Sequence, residues 1–450
     1  MVETRPRSDI PIGSGLVLFP SVILYEFLFW PLVLIASPYY IRRMWRRGGY
    51  GSDFGERFGR FSSEKRDRLR GLRPVWIHAV SVGEVGVALD LIRRLREIPG
   101  FPPLVLSTTT STGHAFAARN LPEEVPLIYF PLDSRLCFGA VHRLLQPRAL
   151  VFVEAELWPN HLRFLARRGI PAALVNARLS PRFLPRYRRF RWLFEPGLRA
   201  FRLATLQSEA DASNLVAVGF PPGALRCVGS LKYDAPRDTA SPARAKLLAD
   251  LGVFGVRPMW VVGSTHPGEE ELAADIFLRL RARHPDLCLA LAPRHAERAG
   301  EVAEILRRRG VAFALRSRLA EVRGPIDAVI LDTTGELRFL YERATVIFMG
   351  KSLVGRGGQN IIEPAACGKP ILHGPHMENF TVVAADFAAA KAAVEVSDAA
   401  ALECEVDDLL SNASRCAALG KAAAELVTSK RGALDRTISA LAAALDLRAC

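Results

Sequence analysis

Between Gly350 and Pro370 the chain reads GKSLVGRGGQNIIEPAACGKP, a glycine-rich loop running into a helix start that carries a carboxylate and a proline. Gly355, Gly357 and Gly358, with Gly350 at the head of the loop, let a ligand approach free backbone amides closely. A helix beginning near Asn360 aims its positive end at the same place. Such an arrangement holds a phosphate. Glu363 follows in the first turn, where a carboxylate can accept hydrogen bonds from the two hydroxyls of a ribose. The segment reads as a nucleotide clamp, although an ordinary loop before a well-formed helix start has the same composition.

The other chemistry-bearing residues fall at the ends of apolar runs. VWIHAV runs into Ser81, Val82, Gly83 and Glu84 and then into the helical VGVALDLIRRLREI. Ser81 with Glu84 three residues later is a capping box. Gly83 in the same turn permits another molecule to come close, which also makes Glu84 a candidate general base. Ser107, Thr108 and Thr109, with Gly113 shortly after, either coordinate sugar hydroxyls or phosphate or serve as turns and an N-cap. Later ends bring Asp133, Glu154 and Glu156, then Asn176, Arg178 and Ser180. In the second half, Gly263, Ser264 and His266 close one run, and Pro293, Arg294 and His295 close the next. Arg294 offers a fixed charge with paired donors and outweighs the histidines. The nine histidines and seven cysteines show no metal-ligand spacing. A GxxxxGK[ST] loop and a GxSxG elbow are both lacking, which argues against nucleotide hydrolysis and serine-hydrolase chemistry.

These residues need a scaffold that gathers strand ends. Apolar runs of strand length alternate with helical patterns, the signature of parallel α/β architecture, in which ligands bind beyond the carboxyl ends of the strands. The expected strands are Val75 to Val80, Leu104 to Ser107, Leu127 to Phe130, Ala149 to Val153, Ala172 to Asn176 and Leu203 to Gln207. A Pro-, Ser- and Asp-rich stretch from Cys227 to Ala243 breaks the pattern. A second series then follows: Met259 to Gly263, Cys288 to Ala292, Ala328 to Leu331, Val346 to Met349 and Pro370 to Leu372. At 450 residues the chain suits two domains. They are expected at 46–228 and 229–450, facing across a cleft, with the last helix packing back on the first.

From Gly15 to Ile41 the sequence is almost continuously apolar and aromatic, interrupted by Glu26, Pro20, Pro31 and Pro38. This is long enough for a hydrocarbon core of ~30 Å. Arg42, Arg43, Arg46 and Arg47 follow at once, so residues 1–45 are expected to form a membrane anchor with the rest of the chain cytoplasmic. The prolines and Glu26 leave open whether it spans the bilayer or lies in its interface. The formal net charge of +14 suits anionic partners. Nucleic acid is disfavoured by the lack of zinc-finger or RNP-type patterns. The cysteines, odd in number and without CxxC pairs, read as reduced thiols.

Taken together, GERFG at Gly55, HAVSVGEV at His78, STTTSTG, YFPLD, VEAELWPN, NARLS, GSLKYD at Gly229, GSTHPGEE, PRHAER and GGQNIIEPAACGKP resemble the 3-deoxy-D-manno-octulosonic acid (Kdo) transferases of Gram-negative bacteria. This is a glycosyltransferase family with the GT-B fold, two Rossmann-like domains. The resemblance runs over nearly the whole chain. It departs at Ser230 and Tyr233, where the family more often carries GNLKFD. The resemblance implies inverting, metal-independent transfer of Kdo from CMP-Kdo to a lipid A precursor, without a cofactor, at the cytoplasmic face of the bacterial inner membrane. By the same resemblance Glu84 is the base. Gly263, Ser264, Pro293, Arg294, His295, Gly350, Gly357, Gly358, Asn360 and Glu363 form the expected donor site. Ser107, Thr108, Thr109, Gly113, Glu154, Asn176 and Arg178 form the expected acceptor site. The competing readings are another GT-B nucleotide-sugar enzyme, such as a 2-epimerase or a transferase with a different donor, and an inactive membrane-bound binding module.

Overall fold

The computed structural model describes residues 53–154, 157–177, 184–234 and 241–446, together with helical positions at 25, 27, 29–31, 33–35, 37 and 38. Most of the expected anchor at 1–45 lies outside the described residues. Among the described residues, no helix is long and apolar enough to cross a membrane. Two compact units form: one from Met1–Asp234 with Gly432–Cys450, the other from Ala235–Arg431.

The first unit holds seven parallel strands: β1 (Val75–Ala79), β2 (Leu104–Thr108), β3 (Leu127–Tyr129), β4 (Ala149–Val153), β5 (Ala172–Ala177), β6 (Phe201–Leu206) and β7 (Leu225–Cys227). Their order in the sheet is β3-β2-β1-β4-β5-β6-β7. Burial on both faces explains why these strands read as unbroken apolar runs instead of alternating ones. Along β1, Val75, Ile77 and Ala79 pack into one core layer and Trp76 into the opposite one. Helix α1 (Val82–Arg96) follows β1, and α2 (Ser111–Asn120) follows β2. His78, His142 and His161 belong to this interior, surrounded by Trp76, Phe130 and Phe152. Burial holds the first two imidazoles down at about 3, so they are neutral packing groups.

The second unit repeats the plan with β8 (Met259–Thr265), β9 (Cys288–Pro293), β10 (Phe313–Leu315), β11 (Ala328–Ile330), β12 (Val346–Met349), β13 (Ile371–His373) and β14 (Val394–Glu395). The order is β10-β11-β9-β8-β12-β13-β14. Helix α3 (Glu269–Arg281) follows β8, and α4 (Ile362–Ala366) follows β12. In each sheet the chain winds outward in both directions from a central pair, β1 with β4 and β8 with β12. The loops leaving such a pair diverge to opposite sides, and that leaves a crevice at the carboxyl edge.

Two expectations need correction. The boundary falls after Asp234 and not after 228, because Leu231 packs into the first unit's core beside the final helix, α5 (Ala433–Ala444). Strands β7, β10 and β14 were not expected, since they are short, partly exposed edge strands without the unbroken apolar run of the buried ones. Asp234 explains how α5 docks. Its Oδ1 and Oδ2 accept the amides of Gly432 (2.7 Å) and Leu434 (2.6 Å), so it caps a helix almost two hundred residues away. Asp234→Ala should therefore cost about 1–2 kcal/mol. By thermal unfolding the melting point of the first unit should drop by roughly 2–8 °C, with Asp234→Asn losing less. An unchanged melting point would show that α5 docks without help from this cap.

Candidate functional site

In the first unit, β1 ends in a turn that hands the chain to α1, and Ser81 caps that helix. Its Oγ accepts the Glu84 amide at 3.3 Å and donates to Glu84 Oε1 at 2.8 Å, while Val80 N–H donates to Oε2 at 2.8 Å. The capping box is thus fully made. It does not exhaust the carboxylate, because each oxygen keeps a further lone pair. Burial pushes the Glu84 carboxyl above the ordinary range. The bonds from Val80 and Ser81 oppose this, and the nearby charge of Glu154 adds to it. A Cβ at Gly83 would approach only Ser81 Oγ, at 3.9 Å, so the turn's surface is open there.

Glu154 leaves β4 across the switch point from Glu84 and adopts φ +63°, a left-handed conformation costly for a residue with a Cβ. Asn176 in β5 does the same, at φ +55°. Asn176 was expected at the acceptor but is fully buried. Its amide donates to Thr205 Oγ1 (3.1 Å), its carbonyl accepts Gln207 Nε2 (2.9 Å), and its Oδ1 accepts Leu231 N–H (3.2 Å). The side-chain nitrogen remains, and Nδ2 donates to Glu154 Oε1 at 3.4 Å. Asn176 therefore positions Glu154, which also lies 3.8 Å from Lys232 Nζ.

Three further acceptor residues are corrected. Ser107 is buried, its hydroxyl bound to Trp76 Nε1 (2.8 Å) and His78 Nδ1 (3.0 Å). Thr108 is buried against His114 Nδ1 (2.9 Å). Gly113 is a packing glycine, because a Cβ there would stand 2.8 Å from Thr110 Oγ1 and 2.9 Å from the Val80 carbonyl. These side chains are consumed in joining β2 and α2 to the β1 turn. Of Ser107, Thr108, Thr109 and Gly113, only Thr109 reaches partway to solvent. Arg178, Ser180 and Glu156 lie outside the described residues.

The second unit builds its edge around a buried acid that the sequence reading passed over. Glu269, 1% exposed in the first turn of α3, accepts the His266 amide at 3.0 Å and the Lys351 amide at 2.7 Å on the same oxygen. It thereby ties the loop after β8 to the loop after β12. A strained residue stands at each of these edges, Ser264 at φ +56° near the end of β8 and Lys351 at φ +58° in the loop after β12. Glu270, also buried, accepts Thr265 Oγ1 (2.8 Å) and Arg298 Nη1 (2.6 Å). Three consecutive acids at a helix start look like dipole stabilisation, so only burial distinguishes these two from exposed Glu271.

Most of the donor glycines serve the fold. A Cβ on Gly263 would lie 2.8 Å from the Tyr341 hydroxyl, and one on Gly350 2.7 Å from Glu269 Oε2. Gly357 and Gly358, at φ +112° and +67°, do need to be glycine, yet what approaches them is the chain's own 376–379 loop. The Gly357 amide donates to Glu378 Oε2 (2.7 Å) and the Gly358 amide to the Lys351 carbonyl (2.9 Å), so neither is available to a phosphate. The helix also starts later than expected, at Ile362, and runs only five residues, too short for much of a macrodipole. Pro293 is buried, and Ser264 nearly so.

The reachable polar groups include Arg294 and His295 after β9, His266 after β8, Asn360 and Glu363. Asn360 Oδ1 accepts the Ile362 amide at 3.1 Å. Glu363 is exposed, yet enough protein surrounds it that burial raises its carboxyl. Arg338, Arg294 and a hydrogen bond from Asn360 hold it down. An acid that is desolvated but accessible, flanked by guanidinium groups, is suited to hydroxyls beside an anion.

Residues 52–235 match the family model described as 3-deoxy-D-manno-octulosonic-acid transferase (kdotransferase). The chain is 31% identical over 411 residues to a 3-deoxy-D-manno-octulosonic acid transferase of Haemophilus influenzae, covering 91% of this chain and 93% of that one. It is 35% identical over 418 residues to a protein of the same description from Bordetella pertussis, covering 88% and 94%. A UDP-GlcNAc 2-epimerase from Neisseria meningitidis, solved with UDP-GlcNAc, superposes with a TM-score of 0.51 at 13% identity, over 79% of this chain and 99% of that one. At that identity the likeness concerns the two-unit parallel fold alone.

The bridging role of Glu269 can be measured. Glu269→Ala leaves two part-buried amides without an acceptor and should cost roughly 1–3 kcal/mol in denaturant unfolding. Glu269→Gln keeps an acceptor oxygen and should cost about half as much. Equal stability of wild type and Glu269→Ala would show that the two loops need no tie.

Proposed function

Because the chain belongs to the 3-deoxy-D-manno-octulosonic acid (Kdo) transferase family, we propose that CMP-Kdo is its donor, that a lipid A precursor is its acceptor, and that Glu84 is its general base. The chain is a glycosyltransferase, and Kdo transfer places it in lipopolysaccharide core biosynthesis. One observation carries this reading: the likeness to named Kdo transferases extends over about nine-tenths of both chains, and so includes both units. The finer assignments follow from the chemistry of each unit.

Glu84 accepts the proton of the attacking acceptor hydroxyl. Its cap bonds fix its direction, and its raised proton affinity makes it a stronger base than an ordinary carboxylate. A single base on the face opposite the leaving group gives inversion at the anomeric carbon. In the second unit Arg294 meets the charge that grows on the departing cytidine phosphate, and Glu363 takes the ribose hydroxyls. The charge is met by fixed cations and the reaction needs no metal. Glu154, held in place by Asn176, completes the acceptor side with Thr109. The apolar stretch from Gly15 to Ile41 and the arginines behind it support a position at the cytoplasmic face of the bacterial inner membrane, where a lipid-borne acceptor resides.

The test is mass spectrometry of a lipid A precursor incubated with CMP-Kdo. Wild type should add Kdo. Glu84→Gln should lose roughly 10²–10⁴-fold in kcat while keeping its melting point and CMP affinity, because glutamine also completes the cap. A variant with most of its activity intact would leave Glu84 as a cap and nothing more.

The pH profile supplies a second check. A base works only when ionised, and a carboxyl raised above its ordinary pKa ionises later as pH increases. The acid limb of kcat/KM should therefore lie above the ~4.3 of an unperturbed glutamate, and the residual activity of Glu84→Gln should lack it. A limb at or below that value would remove burial as the tuning device.

A further inference from the structure

Lys351 is the first residue beyond Gly350, and the backbone around it is rich in glycine at 350, 355, 357 and 358. A left-handed φ of +58° is where glycine costs nothing, whereas a residue with a Cβ is strained there by roughly 1–3 kcal/mol. The chain nonetheless carries a lysine. Its amide is pinned by buried Glu269 at 2.7 Å and its carbonyl accepts the Gly358 amide at 2.9 Å, so the conformation is fixed from both sides. Its stem lies along the glycine loop: an added Cβ would be 3.2 Å from Lys351 Cγ at Gly355 and 3.6 Å from Lys351 Cε at Gly357.

The ammonium is thus carried along the loop that leaves β12, beside the switch point with β8. Two imidazoles and the buried Glu269 carboxylate lie around it. Lys351 and His295 both act on His266, helping to keep that imidazole neutral after burial has lowered its proton affinity. The nearby acid of the loop, Glu378, is engaged elsewhere, with the Gly357 amide (2.7 Å) and His376 Nδ1 (3.5 Å). Among the described residues no carboxylate lies within ion-pair distance of Lys351. A lysine held in strain without an ion-pair partner is arranged for an anion that arrives from outside.

We propose that the Lys351 ammonium is a donor-specificity group that binds an anionic oxygen of the nucleotide sugar, belonging either to the sugar's carboxylate or to its phosphate. This rests on the reading that the second unit binds CMP-Kdo. Lys351 would then add recognition of charge on the donor to the ribose contact at Glu363, and distinguish an acidic nucleotide sugar from a neutral one.

Two substitutions in the full chain test it. Lys351→Met removes the charge and keeps the strain. Lys351→Gly removes both and should be at least as stable as wild type. Both should raise KM for CMP-Kdo about tenfold or more, with kcat changed much less, and Lys351→Arg should recover part of the loss. Calorimetry with CMP then separates the sources. Unchanged CMP affinity in the variants assigns Lys351 to the carboxylate, and a loss matching the KM change assigns it to the phosphate. A KM within about twofold of wild type in both variants overturns the proposal while CMP binding by wild type keeps the donor reading intact. Failure of wild type to bind CMP overturns the donor reading and this one with it.

Discussion

Everything reactive in this chain depends on one feature of parallel sheets: where the winding direction reverses, two adjacent strands send their loops to opposite sides. In the first unit that pair is β1 and β4, and the loops carry Glu84 and Glu154. In the second unit it is β8 and β12, and the loops carry His266 and Lys351. Glu154, Asn176, Ser264 and Lys351, all at carboxyl ends of strands, are left-handed. Such conformations persist only where surrounding bonds over-determine them. Asn176 and Glu269 supply those bonds, each using a buried polar side chain to hold loops that have no strand partner of their own.

The two accessible carboxylates show how one residue type is set to different tasks. Glu84 is raised by burial and by the like charge of Glu154, which favours proton transfer. Glu363 is raised by burial but countered by Arg338 and Arg294, which favours an ionised acceptor of hydrogen bonds beside an anion. The cap on Glu84 does not compete with its role as a base. It removes rotational freedom from a side chain that must act in one direction, and the proton's lone pair remains available.

Much of this was legible from the order of residues. The strands of both sheets and the polar residues beyond their ends follow from apolar runs bounded by turn residues, and β4 and β12 coincide with the expected spans. What stayed hidden concerns direction and burial. Ser107 and Thr108 look like ligand hydroxyls, but β2 is covered on both faces, so both are buried. Gly263, Gly350, Gly357 and Gly358 mark close approach correctly without revealing that the approaching atoms belong to Tyr341, Glu269, Asn379 and Met377. A glycine records that space is scarce, and the sequence does not say who fills it. Glu269 and Lys351 were missed for a related reason: an acid at a helix start and a lysine in a loop are ordinary until a buried contact or a left-handed φ sets them apart.

The central claim is that the donor sits on the carboxyl edge of β8 and β12, between loops tied by Glu269. A crystal structure of the chain with CMP tests it most directly. The phosphate should lie beside Arg294 and the loops after β8 and β12, with the ribose hydroxyls against Glu363. A nucleotide bound at the amino edge of that sheet, or with its ribose turned away from Glu363, would contradict it.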